Sequence, residues 1–374
     1  MIRVLQMIGC LEMGGSQAMI MSLLRNINRS EIMFDFIIDH PEYKDYKEEV
    51  LALGAKIYEM PTFRGANLFQ IKKSWNAFFD GHPEYRILHS HVRSYASLYI
   101  PIAKRHGVKT IIHSHSTSNG DGVKALVKNT LQYPLRFQAD YLMACSNEAG
   151  EWLYGKRACQ KPNYLFFPNA IDTERFRYDQ KKATCYRKKW GLDGKFVVGH
   201  VGRFHIAKNH LFLLDAFANV CEKRSDAMLL LVGDGELRGE IENRIRELKI
   251  ENRVILTGNR NDVSELMQMM DIFVFPSTWE GLPVSVIEAQ ANGLPCLISD
   301  RITKEVDVSE LVKRLRINDF QAWTDAILHT DTERLDVTEK IKRAGFEVKD
   351  AAETLTRFYY SIGGYNGKIY HEAR

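Results

Sequence analysis

The stretch Pro276–Pro295, PSTWEGLPVSVIEAQANGLP, decides how the rest of the chain is read. It follows Ile272–Phe275, a short apolar run of the kind that forms a strand buried on both faces of a parallel sheet. Ser277 to Gly281 reads as a turn, and a helix is expected from about Leu282. Pro283 would lie in its first turn, and Gly293 and Pro295 would stop it. Glu280 then stands at the mouth of a strand–helix turn, with Glu288 about two turns along the helix. A helix N-terminus after a buried strand gathers free N–H groups and partial positive charge, which suits phosphate. Carboxylates there repel phosphate but accept hydrogen bonds from sugar hydroxyls. A capping Glu280 and a solvated Glu288 would account for a lone pair of this kind equally well.

Strand and helix signals alternate along most of the 374 residues, enough for two domains. In the first half, strands are expected at Ile2–Ile8, Phe34–Ile38, Lys56–Met60, Tyr85–His89, Val108–His113, Tyr141–Ala144 and Tyr164–Phe167. A second run starts at Phe196–Val201 and continues through Ala227–Val232, Arg253–Thr257, Ile272–Phe275 and Leu294–Ser299. The pattern predicts an α/β chain with two doubly wound, Rossmann-like domains, residues 1–172 and 173–347, and an interdomain cleft. The polar stretch Lys181–Trp190 reads as the connection between them. A final helix from Val348, within 348–374, is expected to pack back on the first domain.

Composition is that of a globular protein, 45% hydrophobic and 26% charged, and no apolar run is long enough to span a membrane. The N-terminus reads as a first strand rather than a signal peptide. Six scattered cysteines without a C-x-x-C pair suggest reduced thiols and a cytoplasmic protein. The net charge is +4; from Leu51 to Asp172, 15 basic residues face 8 acidic ones, a bias that suits an anionic partner such as a pyrophosphate or a membrane surface. Nothing points to nucleic acid. The segment Val123–Phe137 sets Lys124, Lys128 and Arg136 beside Val123, Leu126, Val127 and Leu131, a basic amphipathic pattern. The same apolar face could instead pack on the domain's own sheet.

Other groups sit at the ends of strands. Gly14 and Gly15 link the first strand to its helix and permit close backbone approach to a ligand, with Ser16 able to cap the helix; a plain turn explains them as well. Neither this turn nor Gly233-Asp234-Gly235 completes G-x-G-x-x-G, since Arg238 stands where a third glycine belongs, which weighs against a dehydrogenase. Arg203 and Lys208 frame the start of a helix, where a planar fork and a point charge suit a diphosphate. His89 and His91 end one strand, and His113 and His115 the next. No carboxylate or cysteine completes a metal set, and no Asp-x-Asp occurs, so neither metal nor cofactor is expected.

As a set these residues resemble the bacterial exopolysaccharide and capsule (EpsF-like) branch of the family 4 retaining glycosyltransferases, enzymes of GT-B fold with an E-x7-E signature. The likeness spans nearly the whole chain: Gly14-Gly15, His113-Ser114-His115-Ser116, Pro168-Asn169, Gly202-Arg203, Lys208-Asn209, Glu280 through Ala289, and Gly293-Leu294-Pro295-Cys296. It departs at Ser16-Gln17, where Ala-Glu usually follows the glycines, and after Asp300, where the wider family carries a Gly-rich loop. The resemblance implies a second domain that binds a nucleotide sugar, with Arg203 and Lys208 on the diphosphate and Glu288 on the ribose. It places Glu280, Gly281, Leu282 and Val284 on the sugar and distal phosphate. Gly14 and Gly15 would close over the donor, and His115, or His113, would lie beside the reacting carbon. The implied reaction is metal-independent transfer of a hexose to a lipid-linked saccharide. A nucleotide-sugar epimerase of the same fold and a non-catalytic subunit of an assembly complex are the other readings.

Overall fold

The computed structural model describes residues 1–364, apart from Met13, Tyr43, Lys44, Asn119 and Asp121; the side chain of Lys124 also lies outside the described set. The chain forms two compact units, Met1–Pro168 together with Val348 onward, and Asn169–Glu347.

The first unit holds a seven-stranded parallel sheet of β1 (Ile2–Met7), β2 (Ile32–Ile38), β3 (Ile57–Glu59), β4 (Ile87–Ser90), β5 (Lys109–Ser114), β6 (Tyr141–Ala144) and β7 (Tyr164–Phe166), in the order β3-β2-β1-β4-β5-β6-β7. The order reverses between β1 and β4, so the loops leaving their carboxyl ends flank a switch point, where ligands bind in open α/β sheets. β2 is buried at every residue, as a strand covered by helices on both faces must be. The helix Val348–Ile362 completes this unit from the far end of the chain. Its Val348, Ala351, Ala352, Leu355, Tyr359 and Ile362 form one buried stripe at helical spacing. Tyr359 meets Phe34 edge-on at 6.2 Å, and Phe358 meets Tyr141 at 5.2 Å.

The second unit holds six parallel strands, β8 (Phe196–Val201), β9 (Ala227–Val232), β10 (Val254–Leu256), β11 (Ile272–Phe275), β12 (Cys296–Ser299) and β13 (Val312–Leu315), in the order β10-β9-β8-β11-β12-β13. Its switch point lies between β8 and β11. The chain enters and leaves this unit side by side, Ile171 N–H bonding to the Phe346 carbonyl at 2.8 Å.

One local expectation needs correction. Lys181–Trp190 is no linker: Gln180–Trp190 is a helix, started by the Asp179 carboxylate accepting from the Lys181 and Lys182 amides and ended by Gly191 in the left-handed region. Arg187 holds it to Asp271 at 2.6 Å, so a polar surface helix had the composition of a connection. The segment 124–137 is two helices, Gly122–Gln132 and Leu135–Gln138, parted at Pro134, as a proline expected to kink or end the helix there implies. The helix Asn147–Tyr154, the edge strand β13 and the helices Phe320–His329 and Thr338–Arg343 are further elements that the sequence reading did not include.

Candidate functional site

In the second unit, the switch point brings together two loops separated by 70 or so residues of sequence. Gly202–Asn209 follows β8 and Pro276–Pro283 follows β11. The Thr278 amide donates to the Ala207 carbonyl at 2.8 Å, and Asn209 Nδ2 to the Pro276 carbonyl at 3.4 Å. Asn209 has φ 57° and ψ 45°, a left-handed conformation that Asn tolerates better than most residues, and starts the helix His210–Lys223. The loops bring Lys208 Nζ to 2.6 Å from Glu280 Oε1, with the two side chains only 17% and 14% exposed. The ammonium also lies 4.7 Å from the Phe275 ring centre. A Cβ at Gly202 would stand 3.2 Å from the Lys208 stem, so glycine leaves the lysine its path. Below them, burial holds the His200 and His210 imidazoles neutral, pushed down to about 4 and about 2, and Lys208 adds to both shifts.

Arg203 does not join this pair. It is 65% exposed and lies 3.3 Å from Glu236. Glu236 was missed by sequence reading, although Gly233-Asp234-Gly235 before it was the available signal. Those glycines form a backbone seam with the β8 loop. A Cβ at Gly233, where φ is +136°, would fall 2.2 Å from the Gly202 carbonyl oxygen, and one at Gly235 would fall 2.6 Å from that of Phe204. Phe204 N–H bonds to the Asp234 carbonyl at 2.9 Å across the seam.

The helix after β11 begins at Val284 and runs to Ala291. Pro283 is therefore its N-cap, with φ −75° and ψ 91°, and lies one position outside the helical turn expected for it. Proline has no side-chain acceptor, so no side chain caps the first-turn amides. Gly281 and Leu282 are buried before them, and Val284 is half-buried. Glu288 lies on the same helix. Burial pushes its carboxyl up to about 7 against the opposing pull of Arg175.

In the first unit, Gly14 is the N-cap of the helix Gly15–Asn26 in an extended conformation, φ −155° and ψ 165°. Ser16 therefore lies inside the helix and does not cap it; its hydroxyl meets Gln17 Oε1 at 2.9 Å. A Cβ at Gly15 would meet nothing within 4 Å, so the backbone here lies beside open space. The four histidines gather at the ends of β4 and β5. His89 Nε2 lies 3.2 Å from His113 Nδ1, and His91 Nδ1 lies 2.8 Å from His115 Nε2. His89 Nδ1 meets Tyr359 Oη at 2.7 Å, and His91 Nε2 meets Gln6 Oε1 at 3.0 Å. His113 is fully buried, whereas His115 is partly exposed. Burial holds His113 down at about 3, and His89 and His91 well below the ordinary imidazole range.

His89, His91 and His113 each offer a nitrogen within 4.8 Å of the others. His91 is stacked over His89 at 4.4 Å with 23° between the rings.

The basic amphipathic helix leaves its apolar side uncovered. Val123, Leu126 and Val127 are 78%, 66% and 52% exposed, so they do not pack on the sheet; Ala125 does the burying. Arg136 turns inward, donating to the Leu153 carbonyl at 2.9 Å. Among the described residues no helix is long and apolar enough to cross a membrane.

Comparison with known proteins places the chain in a family. Residues 13–175 match the family model described as Glycosyltransferase Family 4, and residues 183–314 the one described as Glycosyl transferases group 1. The chain is 32% identical over 372 residues to EpsF of Bacillus subtilis (strain 168), a protein assigned as a glycosyltransferase, with 96% of each chain covered. The chain belongs to glycosyltransferase family 4. The transferase is also 28% identical, over 75% of its length and 76% of the relative's, to the UDP-Gal:alpha-D-GlcNAc-diphosphoundecaprenol alpha-1,3-galactosyltransferase of Escherichia coli. Its fold matches that of Anabaena HepE in complex with UDP-glucose, with a TM-score of 0.78 at 17% identity over 96% of this chain and all of the other. The sucrose-phosphate synthase of Thermosynechococcus elongatus gives 0.77 at 17%, over 97% and 99%. The transferase thus has the two Rossmann-like domains of the GT-B fold and belongs with the exopolysaccharide and capsule type.

Proposed function

We propose that this glycosyltransferase takes a hexose from a nucleoside-diphosphate sugar, a UDP-sugar, and moves it with retention of configuration to a lipid-linked oligosaccharide. The observation that carries the reading is the Lys208–Glu280 contact at the second switch point, beside a helix N-terminus whose amides no side chain caps. Lys208 and those amides suit the charge that develops on a departing diphosphate, and Arg203 adds a planar fork. In the absence of donor, Glu280 balances Lys208. A bound diphosphate would draw the ammonium toward itself and leave Glu280 to accept from sugar hydroxyls. Glu288, further along the helix, would take the ribose hydroxyls, and Gly14 and Gly15 would lie against the donor. His115, the more accessible of its pair, would stand by the reacting sugar. The acceptor hydroxyl would attack from the face the diphosphate leaves, without a metal ion. The names of the relatives support a UDP donor and a lipid diphosphate acceptor.

The exposed Val123, Leu126 and Val127 favour a peripheral contact with an anionic membrane on the inner face of the cell, where a lipid-linked acceptor would be held. Incubation with a panel of nucleotide sugars, with and without lipid-linked acceptor, tests the whole proposal. Acceptor-dependent release of nucleoside diphosphate with an α-linked product from an α-linked donor is the expected result. An isomerised donor without transfer would support the epimerase reading, and an inverted linkage would overturn retention.

A further inference from the structure

The membrane contact proposed above rests on one short helix, Gly122–Gln132. A second surface of the same kind stands where the helix Leu68–Gly81 begins, between β3 and β4. Its first two residues, Leu68 and Phe69, are 42% and 82% exposed. Phe69, Lys72 and Lys73 stand at i, i+3 and i+4 and share the outer side of this helix, while Ile71, Trp75 and Phe78 are buried on the opposite side. The turn before the helix is braced from within. Asn67 Oδ1 accepts from the Arg64 amide at 2.8 Å, and Asn67 Nδ2 donates to the Thr62 carbonyl at 2.9 Å. The Arg64 side chain is exposed at this turn.

The two surfaces belong to one layer of the first unit. Both helices start from the carboxyl ends of strands in the same parallel sheet, and both pack beside the helix Ala96–Arg105. Neighbouring helix axes lie about 8–10 Å apart, so the two starts stand about 20 Å from one another along the same edge of the sheet. Charge sets this layer apart. Met60–Phe79 holds three basic residues and no acidic one, and Tyr85–Ala139 holds eight basic residues against Asp121 alone. Carboxylates return at the borders, with Asp80 at the far end of Leu68–Gly81 and with Glu148 and Glu151 on Asn147–Tyr154. Right-handed crossovers put Lys47–Ala52 on the other face of the sheet, and there Glu48 and Glu49 lie in the first turn. Exposed apolar groups within a cationic, nearly acid-free surface complement an anionic bilayer. The apolar side chains enter below the headgroups, and the lysine and arginine heads meet the phosphates.

We propose that Leu68 and Phe69, rimmed by Arg64, Lys72 and Lys73, form a second membrane contact, so that the first unit lies on an anionic bilayer by this helical layer and touches it at two places. This deepens the membrane contact already proposed and rests on it. Each place raises the effective concentration of the other at the surface, and loss of either releases the protein. The carboxyl ends of β4 and β5 then stand beside the headgroups, where a lipid diphosphate would be held.

The test is co-sedimentation of the full chain with vesicles of equal parts phosphatidylglycerol and phosphatidylcholine, with vesicles of phosphatidylcholine alone as the uncharged control. Phe69→Ser should weaken binding to the anionic vesicles by about tenfold or more. Lys72→Gln with Lys73→Gln should weaken it at low salt and flatten its salt dependence. Both variants should keep the parent's denaturation midpoint, because the altered side chains are exposed. Phe69→Trp should bind as the parent does and show added quenching by brominated lipid. Binding unchanged in Phe69→Ser, or no added quenching in Phe69→Trp, would overturn the second contact; if Val127→Glu with Lys128→Glu still abolishes binding, the contact on Gly122–Gln132 stands without it. Binding lost in Phe69→Ser and kept in that double variant would leave the Phe69 contact standing and refute the other. Equal binding to the uncharged vesicles would overturn the charge argument. No vesicle binding by the unmodified protein would overturn both contacts, and a dimer in solution that Phe69→Ser dissociates would assign the surface to a second copy of the chain instead.

Discussion

Replacing Glu288 with Gln should make the protein more stable above neutral pH and should remove a pH dependence from nucleotide binding. The carboxyl titrates at about 7 in the fold, against 4.5 for an ordinary glutamate, chiefly because burial penalises the charged form. Below pH 4.5 both folded and unfolded chains hold the proton, and Glu288 has no effect on the pH slope. From there to about pH 7 the unfolded chain has lost the proton and the folded chain has not, so stability falls with rising pH. Above about 7 the loss is complete and constant. The gap between 4.5 and about 7, at about 1.4 kcal/mol per pH unit, sets an upper bound of about 3.5 kcal/mol. The residue as a whole keeps some contact with water, so about 1–3 kcal/mol is expected. Glu288→Gln stays neutral throughout. Urea denaturation from pH 5 to pH 8.5 should therefore show the two proteins diverging by about that amount, with the variant the more stable at the alkaline end. If ribose hydroxyls donate to the carboxylate, UDP affinity relative to the Gln variant should rise roughly tenfold from pH 6 to pH 8, as a site with a pKa near 7 ionises. Denaturation curves that stay parallel across the range would refute the burial argument. A binding ratio independent of pH would remove Glu288 from the ribose.

Lys208→Ala should weaken UDP binding by about 1.5–3 kcal/mol, the usual loss for a charged hydrogen bond, and Arg203→Ala should do so without changing stability, because Arg203 is exposed. Calorimetric titration with UDP checks both, and unchanged affinity in either would take that residue out of the site. Gly233→Ala should destabilise the second unit by about 2–4 kcal/mol, since its Cβ would enter the Gly202 carbonyl oxygen from a backbone conformation alanine rarely adopts; a denaturation midpoint equal to the parent's would contradict this. A chelator should leave transfer intact, and activity lost and then restored by Mn²⁺ or Mg²⁺ would show the metal-free reaction to be wrong. Val127→Glu with Lys128→Glu should abolish salt-sensitive sedimentation with anionic liposomes while donor turnover in solution persists; sedimentation unaltered in this variant would exclude the helix as the contact.

Much of the molecule was legible because its signals are local. Ile272–Phe275 is a continuous apolar run with turn residues behind it, and the helix beginning at Val284 has its stop signals, Gly293 and Pro295, in the same twenty residues. The alternation of such units along the chain dictates an α/β fold with two parallel sheets, and the residue types at strand ends narrow the chemistry to phosphate and sugar. Lys181–Trp190 misled because a surface helix with little to bury has the composition of a linker, and its Asp179 cap and Gly191 stop were the better evidence. Tertiary structure alone decided which distant groups meet. Lys208 pairs with Glu280, and Arg203 with Glu236, because β8 sits between β9 and β11, a strand order that no local spacing encodes. The histidines likewise looked like two separate pairs. Parallel register put them on one face of the sheet, and the final helix, far along the chain, brought Tyr359 to Gln6 beside them. The sequence by itself determined the elements, through periodicities that act over a few residues, whereas strand order and register determined the partners, through contacts that exist only once the sheets have closed.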